Sequence, residues 1–122
     1  MSTVELTKGN FEETVTGSKI VLIDFWAAWC GPCRMFGPIY EKAAERHPDI
    51  VFGKVDTEAQ RELAEAFRIT SIPTLMAVRE RTVLYSQPGA LPPQALEELI
   101  DGIRAVDMKD VRRQAPESAM SN

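Results

Sequence analysis

Apolar residues along the chain follow two rhythms. Short dense runs alternate with longer stretches in which apolar side chains recur every three or four positions. This pattern predicts strands alternating with helices in an α/β domain built round a mixed sheet. The run Ile20 to Trp26 is apolar on both alternating faces apart from Asp24, as expected of a central strand covered on both sides. From Cys33 onward Phe36, Ile39, Tyr40 and Ala43 keep helical spacing up to His47-Pro48, where the proline ends the pattern. Pro38 lies inside this helix and is expected to kink it.

The flanking segments complete the order. A short strand is expected near Thr3 to Leu6, a modest helix from Asn10 to Thr16 stopped by Gly17, and a strand from Ile50 to Val55. Thr57-Glu58-Ala59-Gln60 fits a capping box opening a short helix that turns Leu63, Ala66 and Phe67 inward. Strand, crossover helix and strand then form a right-handed unit. Thr74 to Arg79 and Thr82 to Ser86 read as a hairpin. Pro92-Pro93 starts a last helix with Leu96, Leu99, Ile100 and Ile103 on one stripe. Residues 1–104 are expected to form the domain. Val106, Met108 and Val111 extend it as a short helix within 105–122, and the polar run Gln114 to Asn122 is expected to be disordered.

The bulk properties narrow the function classes. A chain of 122 residues can bury a real core but has no room for a second domain of ordinary size. Its 44 % hydrophobic and 26 % charged content is that of a soluble protein, and no apolar stretch approaches the roughly 20 residues of a membrane span. The start lacks a basic and then apolar leader, so a cytoplasmic protein is expected. A net charge of -4 gives no electrostatic footprint for nucleic acid and leaves proteins as the expected partners.

The only two cysteines stand in Trp29-Cys30-Gly31-Pro32-Cys33, directly after the central apolar run. If a helix begins there, residues three apart lie about 5–6 Å apart on one face, close enough for a disulfide. Cys30 at the helix start would face unpaired N–H groups and the positive end of the macrodipole, which favour thiolate over thiol. That marks Cys30 as nucleophile and Cys33, one turn in, as the shielded resolving thiol. Two blander readings compete. A structural disulfide closing so short a loop removes little unfolded-state entropy, and a structural zinc site needs four ligands, whereas the chain offers two cysteines and one distant histidine, His47. No metal is therefore expected, and His47 reads as the polar end of a helix. Asp24 shares a strand face with Leu22 and Trp26, where desolvation raises a carboxyl pKa toward the range useful for proton transfer. The alternative is an aspartate bonded to ordinary polar neighbours. Phe25 and Trp26 read as core, and Met35, Met76 and Met108 as gap fillers.

The pentapeptide resembles the thioredoxin active site, and the likeness covers about residues 3 to 103. The run Val21 to Ala27 resembles the family's central strand with its buried aspartate. Pro38 matches its helix proline, Ser71-Ile72-Pro73-Thr74 its cis-proline segment, and Lys54 and Gly89-Ala90 fall at family spacing. The resemblance implies a thioredoxin fold of about five strands in a central mixed sheet flanked by about four helices. It implies a monomeric protein-disulfide reductase whose only redox group is the Cys30-Cys33 pair, recharged from NADPH by a flavin-containing thioredoxin reductase. In this reading Asp24 is general base for Cys33, supported by Lys54. Trp29, Gly31, Pro32, Ile72, Pro73, Gly89 and Ala90 meet the target as it adds to the sheet edge. An X-Pro bond is cis in only about 5 % of folded cases, so it is the resemblance that makes Pro73 cis. Arg34, where many members have lysine, keeps a positive charge beside the thiolate. The rival readings are a related disulfide oxidant or isomerase, disfavoured by Gly31-Pro32 between the cysteines, and a binding or holdase module with incidental redox chemistry.

Two places depart from the family pattern. Arg79-Glu80-Arg81-Thr82 has no residue that readily takes positive φ, so a loose turn is expected there. Pro88 stands where the family often has a β-branched residue before Gly89, in the loop that the resemblance turns toward the target.

Overall fold

The computed structural model describes residues 2–114. The elements run β1 (Thr3–Glu5), α1 (Phe11–Thr16), β2 (Ile20–Trp26), α2 (Gly31–Arg46), β3 (Val51–Asp56), α3 (Arg61–Ala66), β4 (Thr74–Arg79), β5 (Thr82–Pro88), α4 (Pro93–Ala105) and α5 (Met108–Gln114). They form one five-stranded sheet in the order β1-β3-β2-β4-β5. β1 and β2 run parallel to β3, while β4 runs antiparallel to both β2 and β5. The sheet is therefore mixed, as the alternation of patterns predicted. After Ile103 the last helix is not extended: α4 ends at Ala105, Val106 takes an extended backbone, and a separate α5 runs from Met108 to Gln114, the first residue of the tail expected to be disordered; the rest of that tail lies outside the described residues.

Alternation along β2 sends its side chains into two cores. Ile20 and Leu22 pack with Phe36, Tyr40, Ala43 and Ala44 of α2 and with Leu96, Ile100 and Ile103 of α4. Val21, Ile23 and Phe25 pack on the other face with Val55, Leu63 and Met76, against which Phe11, Val15 and Phe67 close from α1 and α3. Asp24 is thus carried at the centre of the sheet on the face that α2 covers.

Several local expectations are corrected. The capping box does not form: Asp56, not Thr57, accepts from the next backbone N–H groups, at 2.9 Å from Glu58 and 3.3 Å from Ala59. Thr57 instead donates its hydroxyl to the Trp26 carbonyl at 3.0 Å, tying the loop to the end of β2. The turn after β4 is tight rather than loose. Arg79 pairs with Thr82, and the two residues between them, Glu80 and Arg81, take φ of 51° and 66°. Both central residues at positive φ match the hand of the strands. The strained backbone is held by the Glu80 N–H donating to the Lys19 carbonyl at 2.8 Å and by Arg112 of α5 pairing with the Glu80 carboxylate at 2.7 Å. Met76 and Met108 fill the interior, but Met35 is 75 % exposed, because its place on α2 faces away from the sheet. Trp26 is only half-buried, since it ends β2, and the Lys54 ammonium covers its ring at 4.9 Å from the centroid.

His47 does more than end a helix. Its ring stacks on Phe52 and bridges Glu97 at 2.7 Å and Arg104 at 3.0 Å, joining the end of α2 to α4.

Candidate active site

The central strand delivers the chain straight into the cysteine pair. After β2, the Cys30 N–H donates to the Ala27 carbonyl at 3.2 Å, and the Arg34 guanidinium donates to the Ala28 carbonyl at 2.9 Å. Arg34 thus spends one donor on fixing this loop. Cys30 then caps α2: its backbone is extended (φ −87°, ψ 113°), and the Cys33 N–H donates to Cys30 Sγ at 3.2 Å. Gly31 and Pro32 form the first helical turn, where the missing proline N–H costs nothing. A free helix-end N–H aimed at sulfur, together with the macrodipole, stabilises negative charge on Cys30.

Cys30 and Cys33 are joined as a disulfide with Cα atoms 5.2 Å apart. The roles read from the sequence require an accessible Cys30 for attack and a shielded Cys33, yet each residue is 4 % exposed. Both sulfurs sit in a small apolar cluster with Ala27, against which Trp26 and Ile72 pack. Position on the helix, not exposure, distinguishes the two cysteines in this oxidised state.

The Ile72–Pro73 loop comes to the pair from across the sheet. Its peptide bond is cis, and the Ile72 carbonyl oxygen lies 3.8 Å from Cys30 Sγ. The Gly89 N–H donates to the Pro73 carbonyl at 2.8 Å. Gly89 has φ +111°, a conformation that requires glycine although a side chain would have space. Gly89 and Ala90 are exposed, as is Trp29 at 67 %. The structure thus brings Ile72 against the disulfide and ties Gly89 to the same loop, while Trp29 stands out into solvent beside Cys30.

Asp24 is 1 % exposed, and neither carboxylate oxygen has a hydrogen-bond partner among the described residues. Burial pushes its pKa from 3.8 up to about 7, and the charge on Lys54, its neighbour across the β2–β3 pairing, opposes the rise only in part. The ordinary alternative, an aspartate satisfied by polar neighbours, is therefore not what the chain builds. Tyr40 donates its hydroxyl to the Gly53 carbonyl at 2.8 Å; burial, then the charge of Asp24, holds its phenol protonated. Among the described residues no three His, Cys, Asp or Glu side chains gather to hold a metal ion, and no helix is long and apolar enough to cross a membrane.

Beside this site lies a residue that the sequence did not single out, Arg68, which takes φ 54° after the end of α3. A backbone requirement of this kind leaves no mark when the residue is not glycine.

Comparison with known proteins agrees with this geometry. The thioredoxin family model matches residues 2–102. A putative thioredoxin 2 of Streptomyces coelicolor is 65 % identical over 116 residues, covering 95 % of this chain and 87 % of that protein. Thioredoxin C-3 of Corynebacterium nephridii is 41 % identical over 99 residues, 80 % of this chain and 68 % of its own length. Among solved structures, a Plasmodium falciparum thioredoxin superposes with TM-score 0.76 at 32 % identity, covering 82 % of this chain and 98 % of that one. A mutant thioredoxin from Halobacterium salinarum gives 0.79 at 28 % identity, covering 87 % and 94 %.

Proposed function

The chain belongs to the thioredoxin family and is a thioredoxin-like protein-disulfide reductase; on that premise we propose how its residues divide the work. The observation that carries the reading is a disulfide whose first sulfur caps a helix and receives a backbone N–H, on the sheet face that holds a buried, unpaired carboxyl.

In the reduced protein the Cys30 thiolate attacks one sulfur of a target disulfide. A mixed disulfide forms, and the other target sulfur leaves as thiolate. Asp24 accepts the Cys33 proton, and the Cys33 thiolate attacks Cys30 Sγ, closing the internal disulfide and releasing the second target sulfur as thiolate. The target gains two electrons and the pair is oxidised; the two released thiolates take up one proton from Asp24 and one from solvent, to which Cys30 had already lost its own. A carboxyl with a pKa of about 7 is matched to this transfer near neutral pH. Lys54 tempers the rise in that pKa. Ile72 and Pro73 offer backbone to an extended target segment lying beside Cys30. Trp29, Gly31, Pro32, Gly89 and Ala90 surround that segment as the contact surface.

The reduced pair is restored by a separate thioredoxin reductase, for which the family's flavin-containing, NADPH-dependent enzyme is the source we propose. Use of both cysteines in the exchangeable pair suits a reducing compartment, the cytoplasm. Brief iodoacetamide treatment of the reduced protein at neutral pH, followed by peptide mapping, tests the division of roles. Cys30 is expected to label first and Cys33 much later, and a Cys33→Ser variant is expected to accumulate mixed disulfides with oxidised insulin. Equal labelling rates would overturn the assignment.

A further inference from the structure

Arg68 holds a left-handed backbone conformation that costs a non-glycine residue roughly 1 kcal/mol or more. Its N–H donates to the Glu65 carbonyl at 3.0 Å, and the Ile69 N–H to that of Ala64 at 2.9 Å, closing the end of α3 by the turn that glycine ordinarily supplies. Glycine would make the same turn without the strain, whereas arginine brings a guanidinium on a long stem. Strain that a simpler residue would relieve collects at functional positions.

The cation is also uncommitted. Among the described residues the Arg68 side chain enters no ion pair, whereas Arg46, Arg104 and Arg112 are each engaged. It lines a recess of about 200 Å³ together with Thr70, Ser71, Thr74 and Ser86. That volume is far above the roughly 10–15 Å³ that one water requires. Thr74 already donates its hydroxyl to the Ser71 carbonyl at 2.5 Å, while Thr70, Ser71 and Ser86 bring further hydroxyl-bearing side chains to the same recess, alongside the apolar Phe67, Ile69 and Pro88. The recess borders the redox site directly. Ser71 and Thr74 bracket the Ile72–Pro73 pair, whose Ile72 carbonyl lies 3.8 Å from Cys30 Sγ.

From this arrangement we propose that Arg68 is a specificity-determining residue that receives an acidic side chain of the target, a residue or two from the cysteine under attack. The inference deepens the reductase reading and rests on it. A guanidinium with hydroxyl donors suits a carboxylate, which it binds by two parallel hydrogen bonds. The net charge of −4 otherwise disfavours acidic targets, so a local cation decides the sign of the interaction at this point of the surface.

The test uses the full chain, reduced beforehand and mixed with two disulfide-bridged peptides that differ only in Glu or Gln beside the cysteine. Acid-quenched samples give the second-order rate constant. The expected result at low salt is about a threefold preference for the Glu peptide, the size of an exposed charge pair, vanishing near 0.5 M salt through screening. Arg68→Gln is expected to remove the preference while leaving the Gln peptide rate unchanged, and Arg68→Glu to reverse it. Arg68→Gly is expected to be more stable to urea and still without preference, which separates charge from folding. Arg81→Gln, the same charge loss at the far end of β4, is expected to keep the preference. An equal ratio in the wild type and Arg68→Gln, or an equal loss in Arg81→Gln, would overturn the proposal. Failure of the wild type to reduce either peptide would instead reject the reductase reading and this proposal with it.

Discussion

Replacing the buried carboxyl by an amide, Asp24→Asn, isolates the energetic consequence of placing a titratable group in the middle of the sheet. Burial raises the Asp24 pKa from 3.8 to about 7, so the native state holds this proton more tightly than the unfolded chain. As pH rises past 3.8 the unfolded carboxyl ionises first, and native stability falls until the folded carboxyl also ionises near pH 7. About three pKa units at 1.36 kcal/mol each make that loss about 4 kcal/mol. Asp24→Asn removes the pH-dependent part and leaves a constant amide contribution. The stability of the variant relative to the wild type should therefore climb by about 4 kcal/mol between pH 4 and pH 8 and level off above. Urea unfolding of the oxidised proteins at half-unit pH intervals measures it. A difference that stays flat with pH would refute the raised pKa. The same variant should slow the resolution of a mixed disulfide while sparing its formation, because only Cys33 needs a proton acceptor. Rapid mixing separates the two steps, and a resolution rate unchanged from pH 6 to 9 would leave Asp24 without a catalytic role.

Two further expectations concern the end of the sheet away from the cysteines. Arg81→Gly relieves a residue held at φ 66° and should stabilise the protein by about 0.5–1 kcal/mol, the left-handed penalty less the backbone entropy of glycine; an unchanged urea midpoint would mean the turn is not strained. Arg79→Met removes a guanidinium whose Nη1 donates to the carbonyls of Ile103, Arg104 and Val106 at 2.9, 3.0 and 2.9 Å. It should cost about 1.5–3 kcal/mol and speed hydrogen exchange in the last turn of α4, and normal exchange there would show that these bonds do not hold the helix end.

The residues that carry the redox chemistry were readable because their signals are local. A dense apolar run long enough to be buried on both faces, a helix start immediately after it and two cysteines three apart bring the sulfurs together whatever the rest of the chain does. The same run exposed Asp24, since a lone carboxylate among Ile, Leu and Phe must lose its water when the strand is covered. The strands and helices were likewise set by period; most ends shifted by a residue or two, but α3 starts only at Arg61, past the capping box expected at Thr57.

What the sequence left undecided depends on contacts between segments far apart along the chain. Two charged residues take the tight turn at Glu80-Arg81 because Lys19 and Arg112 hold it, and nothing within the turn reports those partners. Cys30 loses its expected exposure because Ile72, 42 residues away, closes over it. Arg68 acquires a position only when the end of α3 packs beside the start of β4. The spacing of residues along the chain sets local conformation, since φ, ψ and side-chain period act over a few residues. Exposure, pairing and the neighbours of a charge are properties of the assembled sheet, and only the tertiary structure decided them.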